Sequence, residues 1–443
     1  MTSSPLSIFW FRRDLRFEDN AGLAHALATG YPVLPIFIFD PDILLGLPKD
    51  DARVTFIFDT LQNLRSYLNE HHDSSIALYH GKPREVFEQL MQQFTVTAVY
   101  TNHDYEPGAL VRDEAVGQWL RTHAIPLHTY KDHVIFEKND IVKEDGTPYV
   151  VYTPYMRRWR SVQQQSTVHT YASEEKLDRI IRHIPLPNLS IEEIGFVRSA
   201  ITVPAFQITS SILKDYAQTR DFPALPGTTG LSPHLRFGTV SVRKIFQQAQ
   251  IDSEVFGNEL IWREFFSQIL WHFPHTPKQS FKARYDQIQW RNGETEFRHW
   301  CEGSTGYPLV DAGMRQLNAT GLMHNRVRMI TASFLCKHLL IDWRWGEAYF
   351  AEKLLDYDMA SNVGNWQWVA GCGVDAAPYF RIFNPTAQLE KFDRHLEYVQ
   401  TWVDEFNSFE YPPPIVDHNF ARARYLKVYQ QANKQPRGKT TGY

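Results

Sequence analysis

Asp356, Asp358, Asn362, Trp366, Gln367, Trp368 and Arg381 crowd into one stretch, DYDMASNVGNWQWVAGCGVDAAPYFRIFNP, from residue 356 to 385. A purely structural helix has no use for Trp-Gln-Trp. Exposed Trp is costly, and a buried one wants an acceptor for its indole N–H. Asp356 and Asp358, two residues apart, do not share a helix face. They are expected to reach different groups of one bound molecule. The combination suits a large aromatic ligand held in a mostly apolar pocket.

Three further clusters carry chemistry. Thr228, Thr229 and Ser232 precede Pro233, with Arg236 just beyond. Ser232 suits a helix N-cap and Pro233 the first helical position. Three hydroxyls at a helix start suit a pyrophosphate, with ordinary capping as the alternative. In NELIWREF, Glu259 and Arg263 lie one turn apart and Trp262 falls on a neighbouring face, which by itself is an i,i+4 ion pair. Residues 323–329, MHNRVRM, read as a basic helix face with Met as core filler. No HxxxH or CxxC accompanies His324, so it is expected to be structural and no metal is expected. Trp290, Trp343 and Trp366 are far apart, and each alone suits a core aromatic. Spacing does not argue a relay.

The elements that must position these residues follow from periodicity. Apolar β runs at Ser7–Phe11, Val33–Asp40, Ser75–His80, Val96–Asn102 and Ile125–Tyr130 alternate with helical patterns near Asn20–Ala28, Val54–Glu70, Pro83–Phe94 and Ala109–His123. That alternation predicts a doubly wound parallel sheet of Rossmann-like kind, with ligands beyond the strand C-termini. No glycine loop follows the first strand; Arg12-Arg13-Asp14-Leu15-Arg16 does. The late Gly371-x-Gly373-x-x-Ala376 has dinucleotide spacing but lacks the strand and helix that give it meaning. Residues 131–205 carry turn signals and read as a connector. From residue 206 helical spacing dominates, at Val255–Phe273, Phe297–Thr320, Asn325–Leu340 and Trp345–Tyr357. The expected partition is therefore an α/β domain over 1–130, a connector over 131–205 and an all-helical domain over 206–443. The tail from Arg422 and Arg424 through Lys434, Arg437 and Lys439 reads as mildly basic and frayed.

The composition sets limits. At 443 residues, 43% hydrophobic and 14% aromatic, the chain can build two substantial cores. Cys301, Cys336 and Cys372 are odd in number and widely spaced, which fits reduced thiols. No run spans a bilayer and the first residues lack a secretory pattern, so a soluble, cytoplasmic monomer is expected. The net charge of −4 means that any DNA contact rests on a local basic patch.

WFRRDLRFEDN (10–20), RDFP (220–223), TTGLSPHLRFGTVS (228–241), NELIWREF (258–265), GYPLVDAGMRQLNATGLMHNRVRMITASFL (306–335) and the 356–385 block together resemble the photolyase/cryptochrome family. They look most like its class I cyclobutane pyrimidine dimer photolyases. The resemblance is collinear over nearly the whole chain and weakest in the connector. It implies an N-terminal antenna domain and a C-terminal helical domain holding folded FAD. In such enzymes excited, reduced flavin gives one electron to a pyrimidine dimer flipped out of DNA, the ring splits and the electron returns.

The resemblance also assigns residues. Tyr216, Thr228, Thr229, Leu231 and Ser232 match positions around the FAD phosphates and ribose, and Arg263 joins the cofactor set. Arg328 and Asp356 match a charged pair beside the isoalloxazine, Asp358 a ring-edge contact and Asn362 the residue facing flavin N5. Glu259, Trp262, Asn325, Met329 and Trp368 match the lesion pocket. Arg220, Arg326 and Arg381 match phosphate contacts. Trp366, Trp343 and Trp290 match, in that order outward, the chain that photoreduces FAD. Phe256 and Leu322 stand where some relatives carry Trp. Arg13, Phe37, Asp40, Arg53 and Asp104 look more like deazaflavin- or flavin-binding antennae than the folate type; they could equally line an empty pocket. The function expected is light-driven repair of cyclobutane dimers in DNA. The alternatives are a cryptochrome-type photoreceptor, against which the complete lesion set and Asn362 argue, and a (6-4) photolyase, against which Asn325 argues.

Overall fold

The computed structural model describes residues 2–434; the basic positions Arg437 and Lys439 lie outside them. Two compact units emerge. One comprises residues 1–140, 160–206 and 230–251, the other 141–159, 207–229 and 252–443. The chain thus crosses between units several times, where the sequence suggests three consecutive stretches.

The first unit is built on five parallel strands, β1 (Thr2–Phe11), β2 (Val33–Phe39), β3 (Ala77–His80), β4 (Phe94–Asn102) and β5 (Leu127–Tyr130), in the order β3-β2-β1-β4-β5. Helices α1 (Ala21–Leu27), α2 (Ala52–His72), α3 (Pro83–Gln93) and α4 (Pro107–Thr122) connect them. The period of two explains why the strands read as unbroken apolar runs. Ile8 and Trp10 join one hydrophobic cluster, while Phe9 and Phe11 join another. A sheet covered on both faces needs apolar residues at every position. The winding reverses beside β1, so residues following β1, β2 and β4 share one edge of the sheet.

The second unit is helical. Its site is carried by α5 (Tyr152–Gln165), α6 (Ser210–Thr219), α8 (Glu254–His272), α9 (Pro308–Thr320), α10 (Asn325–Ser333), α11 (Trp343–Lys353) and α12 (Met359–Ala370), with α13 (His418–Lys434) behind them; α7 (Ser232–Phe237) belongs to the first unit. Four expectations are corrected here. The connector contains a true helix, α5, whose buried Tyr152, Tyr155 and Trp159 fall at helical spacing among polar residues too numerous to register as periodicity. The run Phe297–Thr320 breaks in two, because Gly306 takes φ +74 with Pro413 packed where a Cβ would sit, and Pro308 starts the next helix. Ser232 does not cap α7: Leu231 holds the N-cap position and no side chain caps it. The tail to residue 434 is ordered helix, with Ala421, Tyr425, Tyr429 and Ala432 buried along one face.

Candidate functional site

Helix α10 begins at His324, whose Nδ1 accepts the Arg326 N–H at 3.2 Å. This cap fixes the first turn, which carries Asn325, Arg326, Arg328 and Met329. Burial, then the neighbouring Arg328, lowers the His324 pKa to about 4, so the imidazole stays neutral and able to accept. No cluster of His, Cys, Asp and Glu able to hold a metal occurs among the described residues.

Arg328 lays its fork on Asp356, with Nη1 at 3.1 Å and Nη2 at 2.8 Å, and donates through Nε to the Met323 carbonyl at 2.7 Å. A two-pronged pair of this kind holds a planar guanidinium in one orientation. Asp358 behaves differently. It is the N-cap of α12, accepting the Ser361 N–H at 3.0 Å, so one of the two carboxylates expected to reach a ligand also serves the helix start. One turn on, Asn362 donates through Nδ2 to the Glu347 carbonyl at 3.1 Å and to Glu347 Oε1 at 2.9 Å. Both amide protons are engaged, and the carbonyl oxygen is the acceptor that remains. Burial pushes the Glu347 carboxyl up, against the Asn362 bond.

Trp366, a further turn along, is buried and its indole N–H finds no protein acceptor; Trp343 is alike. The Trp366 ring lies 6.1 Å from Trp300 and 5.0 Å from Phe350, and a Cβ on Gly346 would strike it at 2.1 Å. Trp290 is half-buried and meets Tyr429 edge-on at 6.2 Å. Between the tryptophans, Gln367 is a structural tie, accepting from the Phe281 N–H and donating to the Thr276 and Gln279 carbonyls. Gly371 takes φ +83 to end α12. It follows a helix, not a strand, which disposes of the dinucleotide spacing at 371–376.

The second half of the site is ionic. Glu259 on α8 pairs with Arg220 at the end of α6, a partner that its spacing to Arg263 does not suggest. Arg220 also reaches Asp221 at 4.0 Å, and Asp221 holds Arg326 at 2.7 Å. Glu259, Arg220, Asp221 and Arg326 form one chain of alternating charge. Arg326 also lies over the Phe392 ring at 4.5 Å. Arg220 covers the Tyr216 ring at 5.4 Å, and burial, then Glu259, pushes the Tyr216 phenol up to about 12. Close by, Thr229 is buried and Thr228 exposed; a Cβ on Gly227 would strike Thr219 at 2.5 Å, which fixes this turn against α6. The division between units falls just after Thr229, so Leu231 and Ser232 belong to the first unit. Arg381 is exposed. Its carbonyl accepts from the buried Lys337 ammonium at 2.7 Å, and its guanidinium lies 5.6 Å over Phe383.

Helices α8, α10 and α11 all pack on α12. They bring together most of the expected residues: Glu259, Trp262, Arg263, Asn325, Arg326, Arg328, Met329, Asn362, Trp366 and Trp368. Sequence reasoning missed Asp221, Glu347 and Tyr152. Asp221 sits inside the quoted RDFP motif and was open to notice, whereas no local pattern marks the other two. In the first unit Arg13 meets Asp104 at 3.2 Å and Glu106 at 3.1 Å. Burial raises the Asp104 pKa, but Arg13 and its neighbours more than offset this and hold it well below the usual range. Phe37 is buried, Asp40 caps a one-turn helix through the Asp42 N–H, and Arg53 clasps Asp51.

The donor set fits a flavin dinucleotide. A fixed guanidinium–carboxylate pair, an amide carbonyl and aromatic walls suit a flat heterocycle edged with N–H and C=O groups, and the Thr228 and Thr229 hydroxyls of the same unit suit phosphates. Residues 7–174 match the family model described as DNA photolyase, and residues 256–410 match the FAD binding domain of DNA photolyase. A deoxyribodipyrimidine photo-lyase from Synechococcus sp. is 35% identical, covering 96% of each chain. The crystal structure of a bacterial class III photolyase from Agrobacterium tumefaciens is 33% identical with a TM-score of 0.87, covering 98% of this chain and 99% of that one. An archaeal photolyase from Sulfolobus tokodaii, described with two FAD molecules, is 34% identical with a TM-score of 0.84, over 96% and 99%.

Proposed function

The chain belongs to the DNA photolyase family, and on that premise we propose that it repairs cyclobutane pyrimidine dimers in DNA with light. The observation that carries the proposal is the joining, on packed helices of one unit, of a flavin-suited pocket edge to a half-exposed aromatic and ionic face. Reduced FAD supplies the light-driven electron. The residues do the rest. Arg328 and Asp356 hold the ring system in one orientation, and the Asn362 carbonyl, its amide protons taken by Glu347, accepts a proton donor at the flavin edge. Tyr216, Thr228, Thr229, Arg263 and Asp358 complete the cofactor contacts of the second unit. Trp262 and Trp368 face the flipped dimer, a step that photolyases share with other base-flipping enzymes. Glu259, Asn325 and Met329 contact its base edges. Arg220, Arg326 and Arg381 hold the flanking phosphates. Trp366, Trp343 and Trp290 relay electrons to the flavin.

The edge of the sheet beyond β1, β2 and β4, with Arg13, Phe37, Asp40, Arg53 and Asp104, is proposed as an antenna site. The Sulfolobus tokodaii relative with two FAD molecules supports a flavin-like occupant. The protein acts as a cytoplasmic monomer in this proposal; no helix of the described residues is long and apolar enough to cross a membrane.

The test is illumination of reduced protein with blue light on dimer-containing oligothymidine. Thymine absorbance should recover, in the light only. A protein that photoreduces its FAD yet restores no thymine absorbance is a photoreceptor instead.

A further inference from the structure

Helix α5 lies along α8 through three buried aromatics. Trp159 donates its indole N–H to Glu264 at 2.6 Å, and Tyr155 meets Phe265 at 5.2 Å. The third contact is of another kind. Tyr152 lies flat on Trp262, ring centroids 3.6 Å apart and planes 7° from parallel. Phe265 stands edge-on to both rings. Tyr152 is itself pinned at two points. Its hydroxyl donates to the Asn258 carbonyl at 3.0 Å, one turn before Trp262 on α8. Its backbone N–H donates to Asp375 Oδ2 at 3.2 Å. Asp375 has φ +44, a left-handed conformation that Asp adopts more readily than most side chains, in the loop that leads from α12 to Arg381.

We propose that Tyr152 is a positioning residue for recognition of the cyclobutane-linked pyrimidine pair, acting through Trp262. The inference rests on the proposed repair function, in which Trp262 is a lesion face. A half-exposed indole on a helix otherwise samples several rotamers, and freezing it on binding costs affinity. A parallel ring on one face holds the indole in a single plane before the dimer arrives. The Asp375 bond adds a second effect. It ties the residue behind Trp262 to the loop carrying Arg381, so the stacking face and a phosphate contact keep a fixed spacing. Mere space-filling needs no aromatic plane, and this separates the two accounts.

The experiment compares affinity for dimer-containing and undamaged oligonucleotides in Tyr152→Leu, Tyr152→Phe, Trp262→Ala and the double variant Tyr152→Leu/Trp262→Ala, with bound FAD measured by absorbance. Tyr152→Leu should lower the dimer preference about tenfold, as expected when one stacking contact of order 1–3 kcal/mol is weakened. Undamaged binding and FAD content should stay as in the parent. Tyr152→Phe should stay within about twofold, because the plane is kept. In the double variant the Tyr152 change should add nothing to the Trp262 change. A Leu variant equal to parent, an equal loss on both DNAs, or additive effects overturn the proposal. If Trp262→Ala itself leaves the dimer preference intact, the lesion role of Trp262 falls and the inference falls with it. Should Tyr152→Leu not accumulate as folded protein, Tyr152→Met serves as the flat-ring deletion.

Discussion

Two clusters of arginines and carboxylates use the same residue types to opposite ends. In the first unit Arg16 reaches both oxygens of Asp132 at 2.9 and 2.8 Å, while Arg243 reaches both oxygens of Asp19 and one of Asp132. All four are at most 6% exposed. In the second unit Glu259, Arg220, Asp221 and Arg326 keep 20–39% of their side-chain surface. Taking an ion out of water costs several kcal/mol, about as much as a partner inside the protein can return. The first cluster meets that cost with many bonds, and it clasps the turn after β1 to residues 241–243. The second stays partly in water. An exposed pair is worth roughly 0–1 kcal/mol, little enough for a nucleic-acid phosphate to displace. Depth, not composition, separates the staple from the proposed binding surface.

The largest effect that could break this contrast lies in the staple. Asp132→Ala strands two buried guanidinium groups, and should cost roughly 3–5 kcal/mol in denaturant unfolding. Asp221→Ala should cost no more than about 1 kcal/mol. Equal losses would mean that burial is not what distinguishes the clusters. Burial raises the Asp132 pKa, but Arg16 and Arg243 hold it down to about 2. Its contribution is therefore present above the unfolded value near 3.9 and is lost as pH falls through about 2.

A smaller effect concerns the site's helix. The unfolded chain protonates a histidine near pH 6.5, whereas His324 in the folded protein waits until about 4. Between those values the unfolded state binds more protons, so stability is lost as pH drops from about 6.5 to about 4, by up to roughly 3 kcal/mol. Asn at this position can cap α10 and does not titrate. His324→Asn should flatten the acid limb between pH 6.5 and 4 in unfolding experiments. An unchanged limb would mean that the cap does not depend on a neutral imidazole.

The sheet was legible because strands buried on both faces must be apolar at every position, and Val33–Phe39 is. The long helices were legible by spacing. Helix α5 was hidden by Arg157, Arg158 and Arg160 beside only three buried aromatics. The tail was misread for a similar reason: its surface is basic, and Tyr425 and Tyr429 four residues apart are a thin signal of a buried face. In the site, motif resemblance supplied residue types. Pairings across the chain, Arg220 with Glu259 and Asn362 with Glu347, need the folded geometry. Spacing alone points to the local Glu259–Arg263 pair and gives no sign of a partner 39 residues away.

The finest test of the contrast separates two arginines assigned the same task. Arg381 is exposed, and its guanidinium lies over a ring, Phe383. Arg326 is held by Asp221. A cation that neutralises a duplex phosphate adds about 0.9 to the slope of log affinity against log salt. Arg381→Ala should therefore flatten the slope by about that much, on damaged and undamaged duplexes alike. Arg326 enters the complex already neutralised by Asp221, so Arg326→Ala should flatten it by clearly less, under about half as much. Asp221→Asn removes the competitor while leaving a group that can still contact Arg326. It should tighten binding to both DNAs and steepen the slope, and Arg326→Ala made in that background should then cost the full amount. The measurement is a salt titration of fluorescence anisotropy with matched oligonucleotides. If Arg326→Ala and Arg381→Ala flatten the slope equally, and Asp221→Asn changes nothing, then Asp221 has no hold on Arg326 at the DNA surface. The half-exposed chain would then be as inert toward phosphate as the buried one.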